Sequence, residues 1–367
     1  MRHNHDLYMK YAILEAKKGL GKVEPNPPVG AVIVRNNTIL AKGYHHHFGG
    51  PHAEIDVLEK VKNVDLKGAL LYITLEPCCT HGKTPPCTER IIKSGIKNVV
   101  IAIKDPNPKH LGKGIRILKK AGIHVETGIM KEEAKLLIKY FEKFITKKLP
   151  WCTVKSAMSL DGKIATHTGE SKWISNQHSR ELVQSLRKTA DAILVGINTV
   201  LIDDPGLSLR IGKHHKEPYK IVLDSYARIP LNSRLIKSFP EKTIIITNMV
   251  ETHKKVCLLK KRGVCVIHNK SRKGFIMVRE AFNKIAECGI QHVLVEGGGS
   301  VINSVFKAGL VDEIVFFYAP ILVGGKNAPT SMDGKGIRHL KDAYRIKNLL
   351  TENIHGDILI RGNVIYP

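Results

Sequence analysis

Leu75-Glu76-Pro77-Cys78-Cys79-Thr80-His81-Gly82-Lys83-Thr84-Pro85-Pro86-Cys87 is the stretch on which the reading of this 367-residue chain turns, together with His52-Ala53-Glu54 upstream. The apolar run Ala69 to Leu75 reads as a buried strand, so Cys78 follows a strand end. Cys87 comes after two prolines and opens the segment Thr88 to Lys93, which reads as a helix. His52 opens another helical segment, to Lys62. One imidazole and two thiols at three element ends can converge at one edge of a sheet. Zinc favours imidazole and thiolate ligands in a tetrahedron, and three protein ligands leave the fourth position to water. Helix N-termini favour thiolate charge. Glu54 is not needed as a ligand; two residues past His52, it suits a proton shuttle beside a water whose pKa the metal lowers toward ~7. Two blander arrangements use the same residues: a closed structural zinc with Cys79 as fourth ligand, or core cysteines with an unrelated histidine. Neither gives Glu54 a task.

Outward from this stretch, the first half alternates helix and strand signals. Tyr8 to Lys18 is helical; Val29 to Val34 is a buried strand, and Thr38 to Tyr44 is its hairpin partner across Asn36-Asn37. Val99 to Ile103 and His124 to Glu126 are strands, Gly114 to Lys120 is a helix, and Met130 to Lys147 closes the half as one helix. Such alternation implies an α/β sandwich. The pattern breaks at Lys147-Lys148-Leu149-Pro150, giving domains 1–149 and 150–367. Trp151 to Met158 then starts a new strand. Ala192 to Val195, Lys220 to Leu223, Thr243 to Thr247, Val264 to Ile267, His292 to Val295 and Ile314 to Tyr318 are strand-like, and Tyr344 to Ile365 reads as an antiparallel pair. The halves share no internal repeat.

Composition agrees with two folded cores: 43% of residues are hydrophobic and 25% charged, which excludes a disordered or low-complexity chain. No run approaches the ~18 apolar residues of a membrane helix, and Met1 to Asp6 lacks the apolar segment of a signal peptide. Of seven cysteines, Cys78, Cys79 and Cys87 cluster and four are scattered; a disulfide scaffold would be smaller and denser in cysteine, so a reducing compartment and a soluble cytoplasmic protein are expected. The net charge of +25 invites a nucleic-acid reading. It is spread evenly, however. Residues 1–149 hold 26 basic and 14 acidic residues, 150–367 hold 32 and 19, and the longest basic run is Lys260-Lys261-Arg262. Neither a nucleic-acid nor a membrane partner is expected.

The known base-deaminase signature is H-x-E with P-C-x-x-C. Here eight residues, Cys79 to Pro86, intervene between the cysteines. That loop, with Pro25-Asn26-Pro27-Pro28-Val29-Gly30-Ala31-Val32, Gly43-Tyr44-His45, Leu75-Glu76-Pro77-Cys78 and Asp105-Pro106-Asn107-Pro108, resembles the deaminase module of the bifunctional riboflavin-biosynthesis deaminase-reductases. The resemblance runs from about Asp6 to the C-terminus. It implies a cytidine-deaminase-like three-layer α/β/α domain that removes the 2-amino group of 2,5-diamino-6-(5-phosphoribosylamino)pyrimidin-4(3H)-one. By position, His52, Cys78 and Cys87 would hold Zn2+ and Glu54 would shuttle the proton. Asn26, His45, Lys83 and Asp105 would line the pocket for this phosphorylated pyrimidine. One departure stands out: the family usually has a histidine two positions after the first zinc cysteine, where this chain has Thr80 followed by His81.

In the second half, Lys155 to Ala165 reads as strand, turn at Asp161-Gly162 and second strand, a hairpin. Val295-Glu296-Gly297-Gly298-Gly299-Ser300 follows a strand and opens a helix. Glycines there let a backbone approach a phosphate, although the G-x-G-x-x-G fingerprint is absent. With Ser171-Lys172-Trp173-Ile174, Arg187 to Ala192, Gly196 to Val200, Asp203-Asp204-Pro205 and Leu223-Asp224-Ser225, these segments resemble the same family's reductase module. That implies a dihydrofolate-reductase-like α/β domain using NADPH to reduce the ribosyl group of 5-amino-6-(5-phosphoribosylamino)uracil to a ribityl chain. Ala157, Trp173, Thr199, Asp203 and Ser225 would contact NADPH. So would Gly298, Gly299, Ser300, Val301, Ile302, Asn303 and Ser304. Ser171, Arg187, Leu207, Arg210 and Glu296 would contact substrate, the two arginines as fork-shaped donors to its phosphate. Lys155 is a candidate to polarise or protonate the ribose oxygen, and Arg228 to read the cofactor's 2′-phosphate. The resemblance also implies a homo-oligomer.

Overall fold

The computed structural model describes residues 4–81, 85–210, 217–272 and 274–367. The chain divides after Lys148 into two compact units. The first runs α1 (His5–Lys17), β1 (Gly30–Arg35), β2 (Thr38–Tyr44), α2 (Ala53–Glu59), β3 (Leu70–Leu75), α3 (Cys87–Lys93), β4 (Asn98–Ile103), α4 (Lys113–Lys120), β5 (His124–Thr127), α5 (Lys131–Leu137) and α6 (Lys139–Lys147). Its five strands pair in the order β2-β1-β3-β4-β5. The hairpin side is antiparallel, and β3, β4 and β5 are parallel.

β1 and β3 are apolar at nearly every position because both faces of the sheet are covered. Successive side chains alternate between those faces. Ala31, Ile33, Leu71 and Ile73 join Val57, Ile91 and Leu118 from α2, α3 and α4. Val32, Val34, Leu70 and Tyr72 join Ala12 and Leu137 from α1 and α5 on the opposite side. The result is three layers. The close approach of α1 to β1 requires glycine at position 30, where a Cβ would lie 2.0 Å from the Ala12 carbonyl oxygen.

The helix predicted over Met130 to Lys147 is two helices. Ile138 leaves helical geometry at φ −104° and ψ 12°. The bend turns both Leu137 and Ile138 into the core, which adjacent positions of a continuous helix do poorly.

The second unit runs β6 (Trp151–Ser159), α7 (Gln177–Thr189), β7 (Ala192–Gly196), α8 (Ile197–Asp203), β8 (Tyr219–Leu223), α9 (Arg234–Ser238), β9 (Thr243–Thr247), α10 (Lys254–Lys261) and β10 (Cys265–His268). The short pair β11 (Ser271–Arg272) and β12 (Phe275–Ile276) follows, then α11 (Val278–Glu287), β13 (His292–Gly297), α12 (Gly299–Lys307), β14 (Glu313–Ala319), β15 (Arg345–Ile354) and β16 (Asp357–Ile365). Nine strands form one sheet, β10-β9-β8-β7-β13-β6-β14-β16-β15. It is parallel from β10 through β14 and antiparallel at β16 and β15. Cores form on both faces, one around Leu194, Val295, Phe282 and Ile302, the other around Ile193, Val195, Leu235 and Leu259.

The predicted hairpin at 155–165 is half right. The turn forms, with Ser159 N–H donating to the Lys163 carbonyl at 2.9 Å. The second strand does not, and Lys163 makes only an isolated bridge to Thr330. β6 is paired on both sides, to β13 and β14, so it has no free edge for a hairpin partner. Among the described residues, no helix is long and apolar enough to cross a membrane.

Candidate functional site

Three element ends meet in the first unit. His52 is the N-cap residue of α2, Cys87 is the first residue of α3, and Cys78 lies three residues past β3. His52 Nδ1 is 3.3 Å from Cys87 Sγ and 3.7 Å from Cys78 Sγ. The backbone N–H of Cys87 donates to Cys78 Sγ at 3.3 Å, as expected where a helix start meets a thiolate. Among the described residues, this is the one group of potential ligands whose donor atoms all lie within 4.8 Å of one another. Hydrogen bonding to Cys87, with His52 adding to it against the opposing effect of burial, pulls the Cys78 thiol below its ordinary range, while the same contact and burial push Cys87 up. Its hydrogen bond to Cys78 in turn lifts His52 to about 9. Two sulfurs and a ring nitrogen gathered within 4.8 Å of one another are a donor set that fits Zn2+ with an open position. Cys79 is not part of it. Its Sγ sits 3.6 Å from His110 Nδ1, so the four-ligand closed site is not what the chain builds.

Glu54 lies in the first turn of α2, 3% exposed. Burial raises its carboxyl above the ordinary range, opposed by His52. His45 stands beside His52: the two rings meet edge to face at 5.2 Å between centroids. His45 Nδ1 is 2.8 Å from the Pro51 carbonyl, which only accepts, so Nδ1 carries the proton. Nε2 is then bare and accepts from Asn26 Nδ2 at 3.1 Å. Burial lowers the His45 pKa, which keeps this arrangement neutral. Asp105 is buried, its carboxyl raised by that burial, with Oδ1 accepting the Asn107 N–H at 2.8 Å. Lys83 lies outside the described residues. His81, at the position after Thr80, points outward and faces Glu89 at 3.6 Å.

The second unit assembles a different site. Neighbouring registers pair Val295 with Val154, which sets Glu296 of β13 beside Lys155 of β6. Arg187 of α7 reaches the same place. Its Nε and Nη2 donate to the two Glu296 oxygens at 2.7 and 2.8 Å, and Nη1 donates to the Ser208 carbonyl at 3.3 Å. Burial pushes the Glu296 carboxyl up, but Arg187 and Lys155 outweigh it and leave the pKa lowered. Burial pushes the Lys155 ammonium below its usual value, with Glu296 opposing. Arg210 is exposed and its N–H donates to Gln184 Oε1 at 3.0 Å. The Leu207 side chain packs in the core with Ile193 and Val200, at φ 45°, so only its backbone is left to meet a ligand.

The glycine turn joins β13 to α12. Gly297 has φ 125°, nothing lies within 4 Å of where its Cβ would be, and Gly298 caps the helix. Thr199 Oγ1 is 3.8 Å from the Cβ position of Gly298, so α8 starts beside this turn. A Cβ on Gly299 would meet the Thr330 carbonyl at 2.4 Å. The turn is therefore open at Gly297 and Gly298 and closed at Gly299 by Thr330 and Asp333; the open part, with the Thr199 hydroxyl alongside, fits the phosphates of a nicotinamide dinucleotide.

The other expected cofactor contacts divide. Trp173 is 64% exposed, with the Arg180 guanidinium 4.6 Å over its ring, and Ser171 is half-buried nearby in sequence. Asp203 closes α8, Ser225 follows β8, and Ala157 lies half-buried on β6. Within α12, Ser300 and Val301 lie in the first turn, and Ser304 Oγ donates back to the Ser300 carbonyl at 2.7 Å. Ile302 belongs to the core, and Asn303 Nδ2 lies against Gly334, so neither side chain faces the turn. Arg228 is exposed and donates to Asn198 Oδ1 at 3.1 Å. Sequence reading gave Glu76 no task beyond its place in a motif. The structure buries it as the acceptor of three backbone N–H groups.

Known proteins match both units. Residues 150–360 match the RibD C-terminal domain, and residues 2–103 match the cytidine and deoxycytidylate deaminase zinc-binding region. The riboflavin biosynthesis protein RibD of Actinobacillus pleuropneumoniae is 42% identical over 360 residues, covering 98% of this chain and 95% of its own. That of Aquifex aeolicus is 42% identical over 353 residues, covering 96% of each chain. The solved structure of Acinetobacter baumannii RibD superposes with a TM-score of 0.88 at 33% identity, covering 98% of this chain and 99% of that one. A Thermotoga maritima diaminohydroxyphosphoribosylaminopyrimidine deaminase/5-amino-6-(5-phosphoribosylamino)uracil reductase gives 0.87 at 36%, covering 99% and 100%.

Proposed function

The chain belongs to the bifunctional riboflavin-biosynthesis deaminase-reductase (RibD) family, and we propose from that premise which residues carry each of its two reactions. Residues 1–149 deaminate 2,5-diamino-6-(5-phosphoribosylamino)pyrimidin-4(3H)-one, and residues 150–367 reduce the product with NADPH. The observation that supports this best is the His52, Cys78 and Cys87 cluster with Glu54 buried in the adjoining helical turn.

His52, Cys78 and Cys87 would hold zinc, which would supply a Lewis acid able to bring the pKa of a water toward ~7. Glu54 takes a proton from the water that attacks C2 and returns it to the departing 2-amino group. One water is consumed and one ammonia released. A carboxyl whose pKa burial raises is suited to hold that proton between the two transfers. The Asn26–His45 pair and Asp105 form polar walls for the pyrimidine, and Lys83 offers a point charge to its anionic end.

In the second unit, the backbone at Gly297 and Gly298 would hold NADPH, which would supply the hydride that reduces the ribose C1′. Arg187 and Glu296 hold each other rigid beside the strand ends, which keeps the acceptor carbon from drifting. Lys155 gives its proton to the ring oxygen as the ribosyl ring opens, and a burial-lowered ammonium is a competent acid for that step. Arg210 lies exposed where it can meet the substrate phosphate. The chain's seven cysteines, none in a disulfide, support a reducing cytoplasm, and light scattering tests the expected homo-oligomer.

A coupled assay tests the whole. Given the diaminopyrimidinone ribosyl phosphate, the zinc-loaded protein is expected to release ammonia and then consume NADPH. Ammonia without NADPH loss removes the reductase reading; neither, with zinc bound, removes both.

A further inference from the structure

We propose that Glu76 is a positioning residue for deamination: its carboxylate holds the Asp105–Ile115 segment as one wall of the pyrimidine pocket. The proposal rests on the deaminase reading above. Glu76 follows β3 directly and is 3% exposed. Its Oε2 accepts the backbone N–H of Asp105 at 3.1 Å and of Gly112 at 2.9 Å, and its Oε1 accepts that of Ile115 at 3.2 Å. One side chain therefore grips both ends of a loop more than 25 residues downstream.

The grip replaces something the loop lacks. α4 begins after Gly112, which has no side chain to cap it, and its first turn holds no acidic residue. A helix start wants both an acceptor for its free N–H groups and a negative charge. Glu76 supplies both from another element. The fit is close: a Cβ on Gly114 would meet the Pro77 carbonyl at 2.4 Å and Glu76 Oε1 at 3.3 Å. Asp105 is the residue this fastening delivers. It is buried and lies within electrostatic reach of Cys78, and Cys79 Sγ contacts His110 in the same segment. The strand end that leads to Cys78 thus also carries the clamp on the Asp105 segment, which leaves the neighbouring parallel strand β4. Placement of Asp105 relative to the metal is set by adjacent residues of one backbone.

Glu76→Gln keeps the shape but turns one oxygen into a donor, so at least one of the three N–H groups loses its acceptor. The expected result is a rise of about tenfold in the KM for the diaminopyrimidinone substrate, a smaller fall in kcat, and zinc still bound at one per chain. Amide hydrogen exchange should quicken across residues 105–115 and stay unchanged in α1. NADPH oxidation on supplied deaminated substrate should not change. A KM within about twofold of the parent, with zinc bound, overturns the proposal. If Glu76→Gln sheds zinc, Gly114→Ala, which presses the same contact from the loop side, decides: raised KM with zinc held supports the clamp, and unchanged KM removes it. Loss of zinc from both variants also overturns it, because Glu76 would then support the metal shell rather than the loop. Failure of the parent to release ammonia is a different result and removes the deaminase reading itself.

Discussion

The two units solve the same problem, holding a phosphorylated pyrimidine against a reactive group, from opposite ends. The first concentrates its chemistry in side chains that touch. His52, Cys78 and Cys87 have donor atoms within 4.8 Å, Glu54 stands in the next turn, and Asn26 and His45 fix each other's orientation. The second spreads its chemistry along strand ends. Its turn offers backbone at Gly297 and Gly298, and the Arg187–Glu296 fork lies beside Lys155. A metal needs its own ligands at short, fixed distances, so their spacing survives as a motif. A dinucleotide is long and brings its own reactivity, so the protein needs mainly an open backbone and a helix start.

The sharpest way to break this comparison is Glu54→Gln. Ammonia release is expected to fall about 10³-fold, while zinc content and NADPH oxidation on supplied deaminated substrate hold. Loss of both activities in a folded variant would mean that the two sites are not separate. Next in size is Arg187→Ala, which strips a buried carboxylate of its cation. It should lower the stability of the second unit by about 3 kcal/mol in urea unfolding and cripple the reductase, leaving deamination intact. Arg187→Lys should recover little, because a point charge cannot grip both oxygens. Thr199→Val is milder. The KM for NADPH should rise about fivefold, with kcat and zinc content unmoved.

The smallest effect is one of pH. The folded Glu296 pKa lies below its ordinary 4.5, so the native state binds fewer protons there than the unfolded chain. Its stabilisation is complete above 4.5 and is lost as pH falls through the folded value. Acid unfolding of the second unit should show that loss, and Glu296→Gln should flatten it.

Legibility followed the same division. The grouping of His52, Cys78, Cys87 and Glu54 and the succession of strands and helices were open to the sequence, because apolar periodicity and residue spacing are local properties. Less legible were features set by neighbours. Lys163 to Ala165 has the pattern of a hairpin strand, but β6 is paired on both sides and cannot take one. Ile302 and Leu207 match positions expected near a ligand, yet both side chains lie in cores. Trp173, a large aromatic that a core would welcome, is exposed beneath Arg180. Nothing in the sequence around Glu76 points to residues 105, 112 and 115, since its partners are backbone amides without a signature.

By itself, then, the amino-acid sequence determined two α/β units, the candidate metal cluster of His52, Cys78 and Cys87 with Glu54 beside it in the chain, and the family, because each is written in residues close together or in a repeated spacing. Only the tertiary structure decided which wall each polar residue occupies, that Cys79 turns to His110 instead of the metal cluster, that Glu296 pairs with Arg187 across more than a hundred residues, and that one buried carboxylate caps a distant helix. Those choices depend on strand register and on which buried polar group is left needing a partner. Both are settled only when the sheets close.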